Sequence, residues 1–120
     1  MKNSKANPEV RADSRPFDRA HLDRMTHGDR ALAREVLRLF DSQAERQLEA
    51  MASADNAKAR ADAAHTLKGA ARGVGAFAVA RTAEDVEACA KDEIAFASSL
   101  ARLKARVAEA RLALPDLLGG

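Results

Sequence analysis

Between Phe96 and Leu114 the chain places Phe96, Leu100, Leu103, Val107, Ala110 and Leu114 at alternating steps of four and three residues. That spacing gathers every apolar side chain on one face of an α-helix, and a strand, with its two-residue period, would scatter them. Pro115 follows, and having no N–H it is expected to stop the helix there. A helix with one oily face is stable only when that face is buried against others of its kind.

The rest of the chain supplies those partners. Ala33, Leu37, Phe40, Ala44, Leu48 and Met51 form a second stripe, widened by Leu32 and Val36, on a helix that Asp29 can cap and that spans about 34 Å. A third runs from Asp55 or Asn56 to about Gly73, with Ala63, Leu67, Ala70 and Val74 on one side and Ala64 and Ala71 flanking them. A fourth runs from Ala76 to about Ala90 and carries Val79, Ala83, Val86 and Ala90, with Lys91 and Asp92 as a tight connection. A short helix from Phe17 to about Thr26 precedes them, ended by Gly28. Four long helices with short links predict an all-α, antiparallel up-down four-helix bundle with a short additional N-terminal helix. The expected division is a disordered leader over 1–16, the bundle over 17–115 and a flexible tail over 116–120.

Composition excludes several alternatives. Aromatic residues make up only 3% of the 120 residues, with no Trp or Tyr, so the core is built from Ala, Leu and Val that let helices approach closely. The formal charge of +2 resides in the leader, where Lys2, Lys5, Arg11 and Arg15 outnumber Glu9 and Asp13; the remainder is balanced. A neutral body lacks the footprint of a nucleic-acid binder. No apolar run has the length of a membrane span or a signal peptide. Cys89 is the one cysteine and can form no internal disulfide, which points to the cytoplasm. His21, His27, His65 and Cys89 match no compact metal-ligand spacing, so no metal site is expected.

One segment of the third helix departs from an ordinary surface. His65, Lys68, Gly69 and Arg72 stand at i, i+3, i+4 and i+7, on the stripe opposite the core, with Ala61 and Asp62 one turn before. A glycine within a helix costs about 1 kcal/mol relative to alanine. At Gly69 it leaves clear space one turn from an imidazole, and Lys68 and Arg72 add positive charge beside it. Accessible nitrogen nucleophile, clearance and cations together suit phosphoryl chemistry. Taken alone, a histidine on a helix surface is an ordinary solvated side chain; the offsets of Lys68 and Gly69 are what set this one apart.

The run His65-Thr66-Leu67-Lys68-Gly69-Ala70-Ala71, followed by Gly75-Ala76, resembles the H-x-x-K-G signature of bacterial histidine phosphotransfer (HPt) domains. Phe17-Asp18, Gly28-Asp29, the segment Glu35 to Phe40, and Asp85-Val86-Glu87 are similar to other parts of that family, so the likeness covers roughly Phe17 to Leu114. The resemblance implies a phosphocarrier, without an ATP site or cofactor of its own, that passes a phosphoryl group between receiver-domain aspartates in a two-component phosphorelay. His65 would be the phosphoacceptor through Nε2, Lys68 would stabilise charge, and Gly69 would clear space for the partner. Glu87 stands by position where the family orients the imidazole. Arg72 would have a supporting electrostatic role, and Leu22, Met25 and Ala61 are further candidates for the docking surface. The partners implied are response-regulator receiver domains, which would bring Mg, and a hybrid or sensor histidine kinase; the carrier itself is expected to be a cytoplasmic monomer. A piece of a larger kinase is the variant of this reading. A helical adaptor that binds partners without carrying phosphate is the alternative from another class.

Overall fold

The computed structural model describes residues 15–119, and these form five helices and no strand. They are α1 (Arg19–Met25), α2 (Arg30–Ser53), α3 (Ala57–Val74), α4 (Phe77–Ala88) and α5 (Glu93–Gly119). Asp18, Asp29 and Asn56 cap α1, α2 and α3: each side chain accepts a hydrogen bond from the backbone N–H three residues on, at 2.8–3.1 Å. Asp92 likewise accepts from the Ala95 N–H at 3.0 Å ahead of α5, so short polar side chains start four of the five helices.

The four long helices close into a ring, each packed against the next and α5 returning to α2. Neighbours are antiparallel, as their cross-links show. Arg111 near the end of α5 pairs with Asp41 at 2.7 Å, and Arg34 near the start of α2 donates through Nε to Leu118 O at 2.9 Å. Inside the ring Leu37, Met51, Leu67, Val79, Val86, Leu103 and Val107 are buried, interleaved with Ala44, Ala64, Ala71, Ala83 and Ala110, which have no exposed surface at all. Alanines at the crossings hold the helices close; the branched side chains fill the space between. Leu32, expected to widen the core face of α2, is instead 41% exposed.

Pro115 does not end α5, contrary to expectation; the helix continues to Gly119. The proline forfeits one backbone hydrogen bond, that to the carbonyl of Arg111. Against that loss, Leu117 and Leu118 pack on the core and Arg34 holds the Leu118 carbonyl, so 116–119 form a last turn and not a tail. Of the expected leader, only Arg15 and Pro16 fall within the described residues.

The link between α3 and α4 determines where α1 sits. Gly75 caps α3 in the left-handed region at φ 81°, with its N–H on Arg72 O and the Ala76 N–H on Ala71 O. The Gly75 carbonyl then accepts from Asp18 N at 2.9 Å, and a Cβ at this position would lie 3.0 Å from Asp18 O and 3.3 Å from His21. Only glycine allows both the backbone turn and this approach. Phe17 meets Phe40 edge-on at 5.8 Å and His21 meets Phe77 at 5.1 Å, so α1 covers one end of the bundle.

Candidate functional site

α3 and α4 run side by side, and from the last turn of α4 Glu87 reaches two residues midway along α3. Its Oε2 lies 3.1 Å from His65 Nδ1, and its Oε1 accepts from Lys68 Nζ at 2.9 Å. A carboxylate can only accept, so in the neutral imidazole this contact places the ring proton on Nδ1 and leaves the lone pair on Nε2. The side chain of His65 is 66% exposed and that of Lys68 only 13%. Lys68 was expected to face solvent beside the ring; it lies folded against the seam because Glu87 draws its ammonium inward. The same ammonium holds the Glu87 carboxyl below the usual carboxylate range, with His65 adding to the effect.

Around α3 the surroundings change with each residue's turn of about 100°. From His65 toward α2 come Gly69, Gly73 and then Ala70, and a Cβ on either glycine would meet nothing within 4 Å. This smooth strip ends at an apolar cleft of about 170 Å³ between α2 and α3, lined by Val36, Leu39, Phe40, Gln43, Ala70 and Val74. From His65 toward α4 the surface is charged, with Lys68 on Glu87 and Arg72 facing Glu84 at 3.8 Å. An exposed imidazole with a free Nε2, bounded by an open strip on one side and cations on the other, can act as a nucleophile toward a phosphoryl group presented by another molecule.

The Hpt domain family model matches residues 35–113, about two-thirds of the chain. The chain belongs to the Hpt domain family. No curated protein and no solved structure gives a significant match. Hpt domains are phosphocarriers that take part in histidine phosphotransfer in phosphorelays, interacting there with receiver domains and histidine kinases. Among the described residues, no helix of this Hpt protein is long and apolar enough to cross a membrane.

The remaining candidates divide. Ala61 is half-buried one turn before His65, and Arg72 is open on the seam. Met25 is 52% exposed at the end of α1, as a docking residue must be. Leu22 is 5% exposed and packs into the core, with its remaining edge in a cleft between α1, α2 and the end of α5. Leu39, 57% exposed at the cleft, was not among the candidates. Its signal was available in the sequence: Leu32, Val36 and Leu39 make a second ridge on α2, offset from the core stripe. His21 packs on Phe77 and Cys89 ends α4 half-buried, and among the described residues no three metal-ligating side chains gather.

Proposed function

We propose that this Hpt protein carries a phosphoryl group on His65 Nε2 between receiver-domain aspartates. The observation that supports this reading most is the 3.1 Å contact between His65 Nδ1 and Glu87, which leaves Nε2 as the open nucleophile on an exposed stripe. In the transfer, the Nε2 lone pair attacks the phosphorus of an aspartyl phosphate on the receiver. An N–P bond forms, the P–O bond to the aspartate breaks, and the carboxylate leaves with that electron pair. The ring gains positive charge as the bond forms, and Glu87, accepting from Nδ1–H, offsets it. Transfer to a second receiver is the reverse step.

Lys68 enters this scheme by exchange. Its ammonium rests on Glu87 and, one helical turn from His65, is within reach of a phosphoryl group on Nε2. The partner docks across Gly69 and Gly73, with apolar side chains in the cleft at Val36 and Leu39 and on Met25. The Hpt protein itself contributes nucleophile, charge and surface, and a divalent metal belongs to the receiver.

The test is phosphotransfer from a panel of phosphorylated receivers to the wild type and to His65→Gln, followed by acid and base treatment of the product. Label on the wild type alone, stable in base and lost in acid, is the expected result. Receivers that bind the folded protein yet never label it would replace the carrier reading with that of a helical adaptor.

A further inference from the structure

Arg60 lies on α3 five residues before His65, about 7.5 Å along the helix axis. Its side chain is 15% exposed. Nη1 donates to the Ala90 carbonyl at 3.1 Å, and Nη2 donates to the two carboxylate oxygens of Glu93 at 3.0 and 3.1 Å. The face of the guanidinium stacks 4.4 Å over the ring of Phe96. One residue of α3 thus grips the corner at which α4 ends and α5 begins.

That corner is closed weakly from within. α4 ends without the left-handed glycine that closes α3: Cys89 takes φ −97°, and the Cys89 and Ala90 N–H groups fold back on Asp85, Val86 and Glu87 carbonyls at 3.1–3.4 Å. Helix ends of this kind fray unless something outside the helix holds them. Glu87 is the last residue but one of α4, so its place depends on that hold. On one side of it stands Val86, which has no exposed surface and is fixed by packing. On the other stands Ala90, 4% exposed, whose carbonyl is fixed by Arg60.

The helices are antiparallel, so the two contacts are rungs of one ladder. His65 meets Glu87 on the first rung, and five residues back along α3 Arg60 meets Ala90 on the second. The Glu93 part of the grip is largely in water, with that side chain 82% exposed, and contributes little. The carbonyl and the Phe96 ring are the parts inside.

We propose that Arg60 is a positioning residue for His65, acting through Glu87. By anchoring the end of α4 to α3 it keeps the carboxylate level with the imidazole, and so keeps the ring proton on Nδ1 and the lone pair on Nε2. The consequence for phosphotransfer rests on the carrier reading; the consequence for the ring does not.

A double-mutant cycle separates this role from plain stabilisation. Wild type, Arg60→Met, Glu87→Ala and the double variant are compared under conditions in which all are folded by circular dichroism. Methionine keeps an apolar stem over Phe96 and has no donor for Ala90. Nitrogen-15 NMR of the His65 ring reports which nitrogen carries the proton in the neutral imidazole, and single-turnover transfer at saturating receiver reports the chemistry. Arg60→Met is expected to shift the ring toward the Nε2–H form and to slow acceptance about three- to tenfold. In the Glu87→Ala background the same substitution should add nothing to either readout, because its route to the ring is already cut. Arg60→Lys keeps one donor and should show smaller shifts of the same kind; it carries the comparison if Arg60→Met does not fold. Losses that simply add in the double variant overturn the proposal, as does a slow Arg60→Met protein whose ring keeps the wild-type tautomer. If no receiver labels the wild type, the carrier reading falls and the tautomer measurement still decides the role of Arg60.

Discussion

Lys68 and His65 meet on one carboxylate, the ammonium on Oε1 of Glu87 at 2.9 Å and the imidazole Nδ1 near Oε2 at 3.1 Å. Neither residue is placed by its own helix alone. The carboxylate comes from α4, so the orientation of the ring depends on how closely α3 and α4 pack, and Ala64, Ala71 and Ala83, all without exposed surface, set that approach. A core of small side chains thereby determines the geometry of a surface histidine.

Removing the shared acceptor is expected to free both groups at once. Glu87→Ala leaves Nδ1 without its partner and lets the ring take either tautomer and rotate. A hydrogen bond to a charged group contributes about 1.5–3 kcal/mol, so phosphoryl acceptance should slow about 10- to 100-fold. Glu87→Gln keeps an acceptor for Nδ1–H and should lose less. Single-turnover transfer from one receiver to the three proteins measures the order.

Acid should weaken the same junction. The Glu87 carboxyl is held below its ordinary value of 4.5 by the Lys68 ammonium, with His65 adding to it. In the unfolded chain the carboxyl takes up its proton at the ordinary value. As pH falls below that point the unfolded state binds more protons than the folded one, and the stabilisation present at neutral pH is lost as pH drops through the folded value. Urea unfolding of wild type and Glu87→Gln between about pH 6 and pH 3 should show the gap between them closing toward the acid end. A gap that stays constant would remove Glu87 from the acid response.

Gly69 should be replaceable for the fold and not for transfer. A Cβ there meets nothing, and alanine in place of a helical glycine adds about 0.5–1 kcal/mol of stability. Gly69→Ala should therefore melt about 3–5 °C higher. On the proposed docking mode the same methyl group stands in the receiver's path, and a transfer rate about tenfold lower at subsaturating receiver is expected. A thermal melt and a transfer assay on one sample decide whether the two effects separate.

Leu22 and Leu39 should fail in opposite ways. Leu22→Ala opens a cavity beneath α1 and should cost about 2–5 kcal/mol in chemical denaturation. Leu39→Ala, at a position 57% exposed, should unfold close to the wild type but bind receivers more weakly, by about tenfold if Leu39 anchors the cleft contact.

These residues also show how far the sequence could be read. Periodicity located all five helices and most of the core, and the caps at Asp29 and at Asp55 or Asn56 marked two starts, because each depends on residues within one turn. His65, Lys68 and Gly69 were legible as a group for the same reason. The burial of Leu22 was not, because it depends on α1 docking against the α3–α4 turn at Gly75, more than fifty residues away along the chain. Lys68 was expected outside because its helical position is peripheral; its 13% exposure reflects a carboxylate on another helix. Pro115 carried a valid local stop signal that the packing of Leu117 and Leu118 overrode. At the end of α1 His27, at φ 54°, joins the expected Gly28, at φ 73°, in the left-handed region. Arg60, stacked 4.4 Å over Phe96 and bonded to Glu93, has no sequence signature at all.

The stretch that the Hpt domain family model matches, 35–113, is shorter than the helical body that packs together, Arg19 to Gly119. Phe17 against Phe40 and the Asp18–Gly75 hydrogen bond cross its borders, and the hold of Arg34 on Leu118 lies wholly outside them. A fragment trimmed to the recognisable region would keep His65, Lys68 and Glu87 and lose the lids at one end of the bundle, baring Phe40 and Val74. The heritable signature and the cooperative unit are therefore different objects in this molecule, and a gene fusion that transplants the function has to move the longer one.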